Sequence, residues 1–464
     1  MKRIFIFFLL LHSVLSLGEI YLSVTGAGVR RAKLAVGDIR PLSPPGDANI
    51  ASKLRNQLSS DLELMNVFEF VPDSAAITAD KESGSDMDYS KWSSLGTSFA
   101  IRLGYRVEGE KLTLDAGFYD IPGQKKIFSQ SYQSKVTNSS RIVHELAETI
   151  LKSLTGEKGL FKSRILMVCH DLGRKRSPSK EVYIADSDGS NLLALTADGT
   201  LSLSPTWMND GTHITYTQFE FLISRGIRKR GAVLKKHNLA SGARTVLYHK
   251  DGMNSGASWS SNGNRGVITM SFTGRPELYF ISPSGGAEPE PLSRNLQLKT
   301  LSQSTPQTVN PNLLFDVEAQ WSPTGKELVF SSARTGNPMI YVADLSTQLM
   351  RQITFAGKYN ATPAWSPKGD KILFAAQRAP NGNFDIYSIE PSGNNLARIT
   401  VGDQVGRKIN HENPTWAPTG RHFAIASNEG GHYAIYVMTE DGALKRKISP
   451  DGKECKSPSW GPAE

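Results

Sequence analysis

The stretch TPAWSPKGDKILFAA, residues 362–376, carries the pattern that decides the fold. A tryptophan is followed by Ser-Pro, a polar residue and Gly, and then a short apolar run. Five further copies surround it: SPTWMNDGTHITYT at Trp207, GASWSSNGNRGVITMS at Trp259, EAQWSPTGKELVFSS at Trp321, NPTWAPTGRHFAIAS at Trp416 and SPSWGPAE at Trp460. Six of the seven tryptophans sit in this phrase, at intervals of 52, 62, 44, 51 and 44 residues. Self-similarity at roughly 40–50 residues predicts a β-propeller in which each repeat is one four-stranded blade.

The residues between the tryptophans agree. A second apolar run with an aromatic recurs as PELYFISPSGG, PMIYVADLST, FDIYSIEPSG and YAIYVMTEDG, and a fourth run ends in RQIT, ARIT or RKIS. Apolar runs punctuated by Pro and Gly turns are strand signals. RILMVCH (164–170) and EVYIADSDGSNLLALT (181–196) make a blade without its tryptophan strand, and SPSW (457–460) is a tryptophan strand without its blade. Joined, they complete a sixth blade, so residues 164–463 are expected to close as a six-bladed ring. Closure removes exposed sheet edges. The excess in the 62-residue interval is assigned to a polar loop over 295–312.

Residues 1–18, MKRIFIFFLLLHSVLSLG, read as a secretory signal peptide with a basic start, an apolar run and a small-residue cleavage site. The run is shorter than the ~20 residues that span a bilayer, and no transmembrane span is expected elsewhere. Residues 19–160 lack the repeat. They alternate strand patterns with two amphipathic helices: one carries Ile50, Leu54, Leu58 and Leu62, and the other starts on a Ser cap at 139 or 140 and stops at Gly156. An α/β domain follows from this, with Asp80–Ser90 read as a loop.

The formal charge is +9 and there are only two cysteines, so the chain is neither an acidic protein nor a disulfide-dense scaffold. No nucleic acid is expected as partner, and a monomer is expected. Aligning RILMVC with ELVFSS sets Cys169 opposite Lys456 and Cys455 opposite His170. The two cysteines are then neighbours one residue out of register, which points them to opposite faces. Two free thiols are the expectation; a disulfide between Cys169 and Cys455 requires a bulge in the seam.

Over nearly its whole length the chain resembles the TolB family of the Tol-Pal system. The resemblance rests on the repeats, the closing SPSWGP strand, WSSLGTSFAIRLG (92–104) and the junction LTGEKGLFKSRI (154–165). It implies a periplasmic scaffold with no catalytic step and no cofactor. It also implies binding of the peptidoglycan-associated lipoprotein Pal at the channel mouth and of TolA at the mature N-terminus, in support of outer-membrane integrity and invagination at cell division. Carried across, the Pal-contacting loops fall on Met253, Asn254, Ser255 and Gly256, and on Val317 and Glu318; Met253 stands where His is common and Val317 where Thr is usual. The N-terminal partner segment is Glu19, Ile20, Tyr21, Leu22, Ser23, Val24 and Thr25, without the family's usual Arg.

Propellers also cap peptidases and occur in hydrolases, which is the alternative reading. No Gly-x-Ser-x-Gly nucleophile elbow is present, and no hydrolase domain is expected beyond Trp460. His411–Glu412 and His170–Asp171 are isolated pairs without a third metal ligand, and 186–189 and 439–442 read as ordinary turns, so no metal site is predicted. Antiparallel order places the loops entering the innermost strands on the same face as those between second and third strands. Asn254, Ser255, Glu318, Asn360, His411 and Glu412 are thereby expected to ring the mouth. A basic lip is expected beside them: Arg174, Lys175, Arg176, Arg225, Arg228, Lys229 and Arg230.

Overall fold

The computed structural model describes residues 31–463 apart from 45, 85, 158, 174–178, 225–226, 299–314, 381 and 405–406. The signal peptide and the N-terminal partner segment therefore lie outside the described residues. The first part is a five-stranded sheet formed by β1 (Ala32–Pro41), β2 (Phe68–Phe70), β3 (Phe99–Glu108), β4 (Lys111–Asp120) and β5 (Lys125–Lys135), in the order β2-β1-β3-β4-β5. β1 is parallel to β2 and β3; the other pairs are antiparallel.

Helix α1 (Ala48–Met65) starts where the Asp47 carboxylate accepts hydrogen bonds from the Asn49 and Ile50 amides, satisfying two of the free N–H groups of the first turn. It buries Leu54, Leu58 and Leu62. Helix α4 (Ser139–Thr155) buries Ile142, Val143, Leu146, Ile150 and Leu154, and it ends at Gly156 in the left-handed conformation. No serine side chain caps it. A 3₁₀ turn over Val136–Asn138 leads in, and Ser139 is already its buried first residue. Residues 80–90 are not simply a loop: α2 (Asp73–Glu82) and α3 (Tyr89–Ser93) take both ends. Asp80 is fully buried and receives Arg40 at 2.7 Å and Arg102 at 2.6 Å, so a residue that looks like solvated loop is a buried charge satisfied by two guanidinium groups.

Six four-stranded blades follow. Their innermost strands are Ser202–Trp207, Asn254–Trp259, Asp316–Trp321, Tyr359–Trp365, His411–Trp416 and Lys453–Trp460. Each touches the inner strands of both neighbouring blades, so the ring is closed. Lys453–Trp460 pairs antiparallel with Arg164–Asp171. The tryptophans tie blades together: the indole N–H of Trp207 donates to the Ser459 carbonyl, Trp321 to Ser258 and Trp416 to Ala364, in each case reaching the inner strand of the preceding blade. The long interval carries a short extra strand, Gln297–Leu298, parallel to Leu349–Gln352, so the expected loop is partly strand.

The two parts share one hydrophobic core. It runs from Leu58 and Leu146 through Phe161 to Met167, Ala424, Val437 and Trp460. Polar contacts follow the same path: Arg446 bonds the Ser60 carbonyl at 2.7 Å and Glu63 at 2.8 Å, the His422 Nε2–H donates to Leu64 O at 2.6 Å, and Arg421 pairs with Glu157. Arg421 and His422 lie where the second strand of a blade begins, and Arg446 lies in the short fourth strand of the same blade. The N-terminal domain therefore sits over the closing seam on the face opposite the loops that enter the inner strands.

Candidate functional site

Aligned on their tryptophans, the six inner strands repeat one backbone irregularity. The third residue before each tryptophan has positive φ: Ser204 (50°), Gly256 (68°), Glu318 (59°), Thr362 (48°), Asn413 (54°) and Ser457 (50°). The ladder slips by one residue at each of these places. This is a β-bulge, which re-aims side chains and bends the strand. A non-glycine residue in this region costs roughly 1–2 kcal/mol, and five of the six are not glycine. The bulge lets two consecutive residues keep accessible surface along the channel. Among them are Ser255 and Gly256, Val317 and Glu318, Glu412 and Asn413, and Lys456 and Ser457.

The fifth residue before each tryptophan behaves differently. Ser202, Asn254, Asp316, Asn360, His411 and Cys455 are all buried. They brace loops rather than line the mouth. The Asn254 amide donates to Lys250 O at 2.7 Å and Ala232 O at 3.0 Å, and Asn360 donates to Ala356 O at 3.0 Å. His411 Nδ1 lies 3.3 Å from Asp385, which also takes Arg398. Burial works against ionisation of Asp385, but the hydrogen bond from His411 and the Arg398 pair outweigh it and hold its pKa below the ordinary value. The nine residues expected at the mouth thus divide. Met253, Ser255, Gly256, Val317, Glu318 and Glu412 are accessible; Asn254, Asn360 and His411 are turned into the blades.

Two carboxylates and one ammonium line the channel wall. Glu318 accepts the Thr362 amide at 2.7 Å. It keeps an open surface toward the channel, yet the surrounding walls deprive it of bulk water. This desolvation raises its pKa despite the hydrogen bond. Glu412 accepts the Tyr433 hydroxyl at 2.6 Å and faces Lys456 at 3.4 Å, whose ammonium sits over the Tyr433 ring.

Of the expected lip, Arg174, Lys175, Arg176 and Arg225 lie outside the described residues. Arg228, Lys229 and Arg230 are not in a loop. They belong to a strand, Ile227–Asn238, which pairs over twelve residues with His213–Ser224. Second strands of other blades have five to eight residues. The inner strand stops pairing at Gln218, so the hairpin beyond it is a two-stranded arm on the mouth face. Arg230 lies over the Phe221 ring at 5.8 Å.

Sequence reading missed an apolar rim around the same mouth. Leu172, Phe221, Met253, Phe272, Phe315, Phe355, Tyr359 and Val401 are exposed, Phe355 at 67% and Phe221 at 63%. Each lies in a loop entering an inner strand, at the first residue of one, or in the last turn-side part of a second strand or just beyond it, and these positions share one face. No periodicity marks them, because each belongs to a different loop. Large apolar side chains exposed together on one face make that face the candidate interaction surface. Of the isolated pairs, His170 faces Glu454 at 3.9 Å and Asp171 pairs with Lys453.

The chain is thus a closed propeller with an α/β domain on one face and an apolar, charge-lined mouth on the other. The TolB beta propeller domain family matches residues 151–464, and the TolB amino-terminal domain family matches residues 20–127. The chain belongs to the TolB family. It is 28% identical over 450 residues to a protein TolB homolog of Chlorobium luteolum, covering 97% of this chain and 94% of that one. It is also 28% identical over 231 residues to a Tol-Pal system protein TolB of Desulfosudis oleivorans, covering 49% of this chain and 50% of the relative. The crystal structure of TolB from Acinetobacter baumannii shares the fold, with a TM-score of 0.73 at 21% identity, covering 93% of this chain and 97% of that one.

Proposed function

We propose that the protein is a non-enzymatic, periplasmic component of the Tol-Pal system that binds the lipoprotein Pal at the mouth of its propeller and TolA through residues 19–25. In this role it supports outer-membrane integrity and invagination during division. Family membership and the names of its relatives support the system. The observation that carries the binding face is the apolar rim: eight large exposed side chains surround the one propeller face that the N-terminal domain does not cover. Glu318, Glu412 and Lys456 supply polar anchors inside it. The signal peptide read in residues 1–18 supports the periplasm.

The test is binding of a purified, lipid-free Pal domain to the mature protein. Truncating two rim aromatics, Phe315→Ser with Phe355→Ser, is expected to weaken the complex by about 2–4 kcal/mol and leave the melting temperature unchanged. Undiminished Pal binding by this variant would overturn the assignment of the face. Turnover of peptide or ester substrates by the mature protein would favour the hydrolase alternative instead.

A further inference from the structure

The geometry points to a divalent transition-metal site where the N-terminal domain meets the first blade, with His144 Nε2 and the carboxylates of Asp186 and Asp188 as ligands and Asp61 orienting the imidazole. His144 lies on the buried side of α4, 4% exposed. Its Nδ1 is 2.8 Å from Asp61 Oδ2. The carboxylate accepts the Nδ1 hydrogen, which turns Nε2 the other way. That Nε2 is buried and makes no hydrogen bond. It faces Asp188 Oδ2 at 3.8 Å and Asp186 Oδ2 at 4.0 Å.

These separations are too long for hydrogen bonds. They are close to what one ion would impose. Ligands held at about 2.0–2.1 Å in a tetrahedral shell lie about 3.4 Å apart, so each of the two carboxylate oxygens needs to approach His144 Nε2 by roughly half an ångström. The donor set is already oriented. Asp188 Oδ2 accepts Gln57 Nε2 at 2.8 Å, Asp188 Oδ1 accepts the Ser190 amide at 2.9 Å, and Asp186 Oδ2 accepts Asn191 Nδ2 at 2.7 Å. Gln57 also bonds Asp61 Oδ1 at 3.0 Å. A carboxylate behind a ligating histidine and hydrogen bonds to the ligating carboxylates are the outer shell that metal sites use.

A cleft of about 560 Å³, bordered by His144, Asp186 and Asn191, reaches the site, so an ion has a path in and water can complete its shell. One imidazole with carboxylates and no thiolate suits Zn²⁺ or its first-row neighbours rather than Cu⁺. A proton on Nε2 is the competing occupant: it would make the ring a cation among three carboxylates. Burial disfavours that cation, but the bond to Asp61 and the charges of Asp61, Asp188 and Asp186 favour it more, so an ion binds by displacing the proton and its affinity rises with pH. Because Asp61 and His144 come from helices, Asp186 from the end of a blade strand and Asp188 from the turn that follows it, a bound ion would pin the two parts of the molecule together.

The test uses tag-free mature protein, stripped with EDTA and titrated with ZnCl₂ calorimetrically and with CoCl₂ by visible absorption. The expected result is one ion per chain, a Co²⁺ spectrum of low-coordinate N,O ligation, and a melting temperature that rises with metal concentration. His144→Gln and the double variant Asp186→Asn/Asp188→Asn should each weaken binding at least 100-fold, and Asp61→Asn about 10–100-fold. Absence of binding at 1:1 stoichiometry in the parent protein would overturn the site. So would Zn²⁺ binding that survives in the double variant, whose substitutions lie on a turn and whose folding is checked by melting in EDTA.

Discussion

Cys169 and Cys455 stand directly opposite each other in the ladder that closes the ring, and a disulfide joins them across 286 residues of chain. Two free thiols one residue out of register were expected here. The correction has a local cause: Ser457, at φ 50°, takes up the extra residue as a bulge between Lys456 and Ser459. Every residue of the closing strand before the bulge therefore shifts by one, and Lys456 meets Val168 instead of Cys169. Cys455 thus takes the buried place that Asn254, Asp316, Asn360 and His411 hold in other blades.

The bond fastens the two ends of the propeller, so its removal acts on the seam. Closing a loop of this length restricts the unfolded chain by an amount on the order of 5 kcal/mol in the entropic limit, and 2–5 kcal/mol is typical. Replacing both cysteines with alanine should lower stability by about 3–5 kcal/mol. It should also raise amide exchange first in residues 164–171 and 453–460. An unfolding midpoint in urea equal to that of the oxidised parent would refute a stabilising seam.

The ring of bulges makes a prediction of opposite signs at two equivalent places. Gly256 meets its positive φ without cost, and a Cβ there would touch nothing within 4 Å. Gly256→Val should therefore destabilise by about 1–2 kcal/mol through backbone strain alone. Thr362 already bears that strain, with its hydroxyl buried and without a hydrogen-bond partner. Thr362→Gly should be neutral or stabilising by up to about 1 kcal/mol. Denaturation midpoints decide the matter, and equal losses in both variants would rule out the strain argument.

His422 gives the stability a pH dependence with a definite sign. It is buried between the two parts of the molecule, and desolvation pushes its pKa down to about 4 despite the hydrogen bond to Leu64 O. In the unfolded chain it titrates near 6.5. Between these values the unfolded state binds more protons. Its contribution is therefore intact above pH 6.5 and is lost as pH falls toward 4, by about 3 kcal/mol in total. His422→Gln keeps a donor for Leu64 O and does not titrate. The parent should lose stability on acidification more steeply than this variant, and parallel pH curves would count against the assignment.

The basic residues expected beside the mouth are predicted to act on association rate. Replacing Arg174, Lys175, Arg176, Arg225, Arg228, Lys229 and Arg230 with Gln should slow capture of an acidic Pal domain at least three-fold at 20 mM salt. The difference should vanish near 0.5 M salt, where the screening length is about 4 Å. Stopped-flow mixing measures both. Rates that match the parent at low salt would leave these residues ordinary solvated charges.

The repeat could be read from residues because it is local. A tryptophan, a Pro-x-Gly turn and an alternating apolar run each state their own conformation, and six copies in series specify blade number, strand order and the pairing of the chain's two ends. The apolar stripes of α1 and α4 were legible for the same reason. Side-chain partners were not. Five of the six bulge residues are Ser, Glu, Thr or Asn, none of which announces positive φ, so the register at the seam stayed hidden. Asp80 reads as solvated until Arg40 and Arg102 arrive from two different strands. His144 looks like one residue of an apolar helix face until Asp61 and the turn at 186–188 close on it. Contacts of this kind depend on where segments 22 to 286 residues apart come to rest, and that is settled by the packing of the whole core rather than by the preference of any one stretch.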